Sequence, residues 1–101
     1  MAGEEYESVW DGLYDSPEEA ERMKVRSQLM MLLAEYVKGE LMDKQELTGK
    51  EAGKVLGLTQ PQVSYLVRGK LHKFSLDRLV EIAARANLRV KVGLETDVTA
   101  A

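Results

Sequence analysis

Hydrophobic residues recur every three or four positions through most of this chain, which predicts amphipathic helices. The first long helix begins at "SPEE", where Ser16 is the N-cap, Pro17 takes the first helical position and Glu19 can close a capping box. Its end is ambiguous, because Gly39 could stop the helix or only weaken it before an end near residues 43–44. The apolar stripe of this helix comprises Ala20, Met23, Met30, Ala34, Val37 and Leu41.

Three shorter helices are predicted downstream, over residues 48–57, 61–69 and 75–87. Thr48 caps the first, Pro61 lies in the first turn of the second with Gly69 after it, and Ser75 caps the third. Asn87 is a plausible C-terminal stop for the last helix. The fold class is therefore all-α over residues 16–87.

After residue 87 the hydrophobic period changes from helical to two, which predicts a short strand over residues 88–94. The apolar positions of this strand are Leu88, Val90, Val92 and Leu94. The chain offers it no partner strand, and an unpaired apolar edge is a liability, so we expect it to pair antiparallel with a second copy across a two-fold axis. The alternative is a loosely packed tail.

Charge is distributed unevenly along the 101 residues, whose net charge is −3. Residues 1–21 carry eight acidic residues and no Lys or Arg, whereas the rest of the chain is basic. The domain organisation that follows is an acidic aromatic arm (1–15), a helical domain (16–87), a dimerisation strand (88–94) and a frayed tail (95–101). A basic body is compatible with nucleic acid as a partner.

Composition narrows the classes of function. The absence of cysteine excludes disulfides and thiolate metal sites, and a single histidine, His72, gives no reason to expect a metal or cofactor. The sequence shows no nucleophile–base pair and no glycine-rich phosphate loop, so it gives no reason to expect an enzyme or a small-molecule substrate. No apolar run suits a membrane span or signal peptide, so we expect a cytoplasmic protein.

The stretch 48–70 has the pattern of two short helices joined by a tight turn. Ala52 and Gly53 are small enough for close helix crossing, and Gly57 can adopt the positive φ that the turn needs. Leu56, Leu58, Val63 and Leu66 are spaced to pack inward.

The outward residues of this stretch carry the chemistry for duplex DNA. Gln can bond the adenine edge bidentately and Arg the guanine edge, while hydroxyls and lysines suit phosphates. The candidate base-reading set is Thr59, Gln60, Gln62, Ser64, Tyr65 and Arg68. The candidate phosphate-binding set is Thr48, Lys50, Lys54, Lys70 and Lys73. The competing interpretation is an ordinary solvated face.

The segment "LTGKEAGKVLGLTQPQVSYLVRGK" resembles the helix-turn-helix of phage-repressor-like (XRE-type) regulators. Together with "VWDGLYDSPEEAERMKVRSQLM", "KFSLDRLVEIAARA" and "LRVKV", it is similar to the HigA-type antitoxin subgroup over about residues 9–94. The resemblance implies a five-helix repressor-like domain, autorepression of a toxin–antitoxin operon and binding of a small RNA-cleaving toxin. Gly49 departs from the pattern, since the family usually has a Gln there that contacts phosphate and braces the residue matching Gln60.

The arm has two interpretations that are not exclusive. Its apolar residues, Tyr6, Val9, Trp10, Leu13 and Tyr14, could dock on the chain's own core or on a dimer partner, or they could bind the toxin. Negative charge suits toxin binding by the arm, because an RNA-cleaving site is built to hold phosphate.

A homodimer would place two recognition helices about 34 Å apart on a palindromic operator. The alternatives are a stand-alone regulator without a toxin, and a protein-interaction module that has lost DNA binding.

Overall fold

The computed structural model describes residues 16–96, so the predictions for the arm at 1–15 and for the last five residues lie outside it. The elements are α1 (Pro17–Tyr36), a π-helical continuation (Val37–Lys44), α2 (Gly49–Leu56), α3 (Gln60–Val67), a 3-10 turn (Leu71–Lys73) and α4 (Leu76–Arg85). Helix is thus the dominant structure, as predicted. Within residues 16–96 there are four α-helices, so the count of five implied by the resemblance is not confirmed.

Side-chain oxygens at the predicted N-caps start the helices. Ser16 Oγ accepts the Glu19 N–H at 3.1 Å, and Pro17 is the first residue of α1. Ser75 Oγ accepts the Arg78 N–H at 3.1 Å at the start of α4. Each bond satisfies one of the N–H groups that a helix leaves unpaired in its first turn, so these local signals alone determine where the helices begin.

The first helical run passes Gly39 and ends at Lys44, near the later of the two predicted ends. From Val37 onward the run is π-helical, the class of helix in which an N–H reaches back five residues. The Gln45 N–H donates to the Glu40 carbonyl at 3.2 Å, and Glu46 then takes a left-handed φ of 56° that turns the chain toward α2.

One hydrophobic core joins all four helices. Its fully buried side chains are Leu33, Val37, Leu41, Leu56, Val63, Leu66, Leu79 and Ile82. α1 and its continuation pack against the α2–α3 pair, and α4 packs against both α1 and α2. The short helices α2 and α3 are therefore stabilised mainly by tertiary packing. Leu56, Leu58, Val63 and Leu66 all face inward, as predicted.

The chain leaves α4 at Asn87, whose φ of 62° confirms the predicted stop. The Leu88 N–H then donates to the Ala83 carbonyl at 2.9 Å, and Leu88 packs on the core. Residues 88–96 form no helix or strand in the single chain, so the predicted strand is not confirmed. A strand is defined by hydrogen bonds to a neighbour, and the neighbour predicted for this one is a second copy.

No helix within residues 16–96 is long and apolar enough to span a membrane.

Candidate nucleic-acid interface

The helices α2 and α3 meet across a turn built on two glycines. Gly57 adopts a φ of 73° and donates its N–H to the Gly53 carbonyl, and the Leu58 N–H reaches the same carbonyl at 2.8 Å. A Cβ on Gly53 would lie 2.4 Å from the Leu58 carbonyl oxygen and 3.4 Å from Val63 Cγ2. Only glycine therefore allows this close crossing, which confirms the prediction from "EAGKVLG".

A capping box locks the start of α2. Thr48 Oγ1 accepts the Glu51 N–H at 3.1 Å, and Glu51 Oε1 accepts the Thr48 N–H at 2.8 Å. Thr48, a candidate phosphate ligand, is exposed, but its hydroxyl oxygen already serves the helix. Its hydroxyl proton remains the group that it could offer to a phosphate oxygen.

A second capping box fixes the start of α3 and uses two candidate base-reading residues. Thr59 Oγ1 accepts the Gln62 N–H at 3.3 Å, and Gln62 Oε1 accepts the Thr59 N–H at 2.9 Å. A bidentate bond to adenine needs both the oxygen and the nitrogen of a side-chain amide. Because its oxygen already accepts a backbone N–H, Gln62 acts as a cap in this structure, which ties the orientation of its amide to the start of α3.

Gln60, by contrast, is exposed at the N-terminus of α3 and lies beside Gly49 of α2. A Cβ on Gly49 would stand 3.5 Å from Gln60 Cγ and 3.8 Å from Gln60 Nε2, which is ordinary van der Waals contact. The structure therefore brings together the two positions that the resemblance links. A side chain at position 49 would therefore begin in contact with the Gln60 side chain.

The C-terminal half of α3 gathers cations around one aromatic ring. Lys73 Nζ lies 4.9 Å from the centroid of the Tyr65 ring, and Arg68 Cζ lies 5.9 Å from it. Arg68 Nε also donates to the Ser64 carbonyl at 3.3 Å. Tyr65 itself is half-buried against the core, so the ring is a fixed support that holds two exposed cations by cation–π attraction.

The candidate phosphate-binding lysines flank α3 at both ends. Lys50 and Lys54 are exposed on α2, whose first residue touches Gln60. Lys70 and Lys73 are exposed just after α3. A helix with cations beyond both ends can contact the two sugar–phosphate backbones that border a groove while its centre faces the bases.

Two arginines of α4 that the sequence did not single out brace the turn. Arg78 Nη2 donates to the Gly57 carbonyl at 3.0 Å, while Arg78 Nη1 bonds Glu81 Oε1 at 3.1 Å. The Arg85 guanidinium covers the same glycine, where its Cζ would lie 3.0 Å from a Cβ. The sequence did indicate that the two arginines share one helix face, because they are seven residues apart. Their target lies at least 21 residues away in the chain, which no local pattern shows.

Two short, capped helices that cross at a glycine, the second presenting polar side chains outward, define a helix-turn-helix protein. A family model described as a helix-turn-helix domain matches residues 13–95, and the chain belongs to this family. A comparison with curated proteins found no significant match. Membership in a helix-turn-helix family indicates a DNA-binding regulator.

Proposed function

We propose that this protein is a sequence-specific transcriptional repressor of the phage-repressor-like (XRE) type that binds a palindromic operator as a homodimer. The observation that carries the proposal is the outer face of α3, with the exposed amide of Gln60 at one end and the Tyr65, Arg68 and Lys73 cluster at the other. The major groove is about 12 Å wide and admits a helix. A contact face built along α3 fits that groove.

The side chains divide by the contacts that their positions allow. Gln60 offers an amide oxygen and nitrogen to adenine, and Arg68 offers a guanidinium to guanine or to phosphate. Thr59 and Gln62 hold the N-terminus of α3 in shape, so their contribution to base reading is mainly through position. Thr48, Lys50, Lys54, Lys70 and Lys73 supply contacts to the phosphate backbone, which set affinity rather than sequence preference.

We also propose that the protein is the antitoxin of a toxin–antitoxin operon, of the HigA type. Support comes from the resemblance over about residues 9–94 and from the charge of the arm, where the first 21 residues carry eight acidic side chains and no basic one. In this proposal the apolar residues of the arm contact an RNA-cleaving toxin while the arm's carboxylates face the toxin's phosphate-holding site. The proposal assigns no catalytic step to the chain itself.

The first test is fluorescence anisotropy of labelled duplexes: one taken from upstream of this chain's own gene, the other a scrambled version of it. Preference for the native duplex that persists at physiological salt supports the repressor. Weak, equal binding to both duplexes that disappears with salt would instead favour a protein-interaction module.

Matched variants sharpen this test. Arg68→Ala should weaken specific binding by about 1–3 kcal/mol if Arg68 reads a base. Arg22→Ala removes the same group from an exposed site on α1 and should leave binding unchanged. Gln60→Ala and Gln28→Ala form a second pair, since Gln28 is also exposed on α1. Equal effects within each pair would remove α3 from the interface.

The antitoxin role is tested separately with the protein encoded beside this chain's gene. The full chain should suppress ribonuclease activity of that protein, and Trp10→Ala should reduce the suppression while leaving operator affinity unchanged. If the neighbouring product cleaves no RNA, or if the chain does not inhibit it, the repressor is a stand-alone regulator.

A further inference from the structure

An apolar groove runs between α1 and the chain that leaves α4. Its apolar lining side chains include Leu29, Leu32, Tyr36, Ala83, Leu88 and Val90, and Arg89 and Lys91 line it as well. Leu32 is 64% exposed and Val90 41% exposed, so two large apolar side chains of the groove face solvent. An exposed apolar surface of this kind, beside a segment in no helix or strand, is characteristic of a protein–protein contact.

The chain continues from the groove with two more exposed apolar residues. Val92 is 88% exposed and Leu94 is 98% exposed, and both follow the period of two that begins at Leu88. Successive side chains of a strand point to opposite faces, so in a strand Val90, Val92 and Leu94 would share one face. In the single chain Arg89, Val90 and Lys91 all line the groove. A segment that covered the groove and paired with the backbone of residues 88–94 would bury all three of these apolar side chains.

We propose that the occupant is residues 88–96 of a second copy, paired antiparallel with the strand register centred on Val92. This inference rests on the homodimer of the proposed function and adds the α1 side of the interface and the register. A two-fold axis makes the two strands identical, so one self-complementary segment suffices to cover both grooves. In that register the partner's Leu94 lies opposite Val90 and packs toward Leu32.

Charge and packing together decide among the registers that keep apolar residues opposite each other. A register centred on Val90 sets Arg89 against Lys91, and one centred on Lys91 sets two copies of that lysine face to face. Like charges directly opposite one another destabilise a strand pair. The register centred on Val92 instead sets Arg89 against Glu95 and Lys91 against Gly93, which removes both repulsions. A centre at Gly93 would set Lys91 against Glu95, but it would place the residue with no side chain to pack at the middle of the strand pair.

The absence of cysteine from the chain allows a direct test, because a single introduced cysteine can form a disulfide only with its own copy. With Val92 on the axis, its two Cα atoms lie about 4.5–5.5 Å apart, within the range that a disulfide spans. The two copies of Lys91 then lie roughly 8 Å apart and those of Val90 more than about 13 Å apart, both too far. Full-length Val92→Cys should therefore cross-link under mild oxidation far more than Lys91→Cys or Val90→Cys.

A mixture of two variants supplies the positive control for the register. Val90→Cys and Leu94→Cys should each cross-link weakly alone but efficiently when mixed. Preferential cross-linking of Lys91→Cys would overturn the register. Sedimentation at the same protein concentration separates the remaining outcomes. A dimer without any tail cross-link overturns this inference alone. A monomer overturns the homodimer of the proposed function as well. DNA binding is measured independently of both.

The groove itself is tested on α1 with two neighbouring residues of similar exposure. Leu32→Glu should raise the dimer dissociation constant by about tenfold or more, because it places a carboxylate in the contact. Met31→Glu, at a residue that is 60% exposed but does not line this groove, should change it little. Equal effects of the two substitutions would place the partner elsewhere.

Discussion

Replacing Gly53 with alanine tests the packing on which the candidate interface depends. The added methyl carbon would stand 2.4 Å from the Leu58 carbonyl oxygen and 3.3 Å from its carbonyl carbon. Both are backbone atoms, and Leu58 is also tied to Gly53 by the 2.8 Å hydrogen bond across the turn. Relief by a side-chain rotation is therefore impossible, and the turn itself must shift.

The change in the free energy of unfolding combines two destabilising terms and one stabilising term. Overpacking of this kind costs about 1–3 kcal/mol, and a weakened turn hydrogen bond costs about another 0.5–1.5 kcal/mol. Alanine returns about 1 kcal/mol relative to glycine through its helix preference. The free energy of unfolding should therefore fall by about 0.5–3.5 kcal/mol, which at the upper end is a large part of the stability of a domain this small.

Gly39→Ala is the matched control, because a Cβ on Gly39 meets nothing within 4 Å. It should raise the free energy of unfolding by about 0.5–1 kcal/mol, since it only reduces the freedom of the unfolded chain. Both variants are measured by urea unfolding, followed by far-ultraviolet circular dichroism at one fixed chain concentration. A Gly53→Ala protein as stable as the wild type would refute the close-crossing argument.

Three further changes probe the outer face and its support. Tyr65→Phe should leave DNA affinity unchanged, because the ring and not the hydroxyl holds the two cations. Tyr65→Leu should lower DNA affinity and make its salt dependence shallower. Loss of sequence preference in the Phe variant would instead make Tyr65 a base reader. Gly49→Gln should tighten operator binding by about 1 kcal/mol in anisotropy titrations by bracing Gln60, and unchanged affinity would contradict this. Arg78→Met should lower the free energy of unfolding, measured in urea, by about 0.5–1.5 kcal/mol, because it loses the bond to the turn. The control Glu81→Gln breaks only an exposed ion pair and should change the free energy of unfolding by under about 0.5 kcal/mol.

Helix starts and the glycine turn were predictable from the sequence because their causes are local. A serine or threonine oxygen caps an N–H group three residues away, as at Ser16, Thr48 and Ser75. A left-handed φ favours glycine or asparagine, as at Gly57 and Asn87. The inward leucines follow from helical periodicity alone. These features needed no knowledge of distant contacts.

The roles of individual interface residues needed the tertiary structure. Gln62 and Gln60 have the same side chain two positions apart, but one amide closes a capping box and the other stands exposed beside Gly49. The 3-10 turn after α3 brings Lys73 over the Tyr65 ring, a contact that depends on how the chain reverses.

The amino-acid sequence by itself determined an all-α chain with a two-helix turn, the inward face of each helix and an acidic segment ahead of a basic body. These follow from periodicity, capping and charge, which act over a few residues. Only the tertiary structure decided that α1 continues as a π-helix to Lys44 and that Arg78 of α4 bonds the glycine turn. It also decided that Leu32 lines a groove with Val90. Those features arise where segments distant in the chain pack together, because burial of the shared core and not local propensity sets their relative positions.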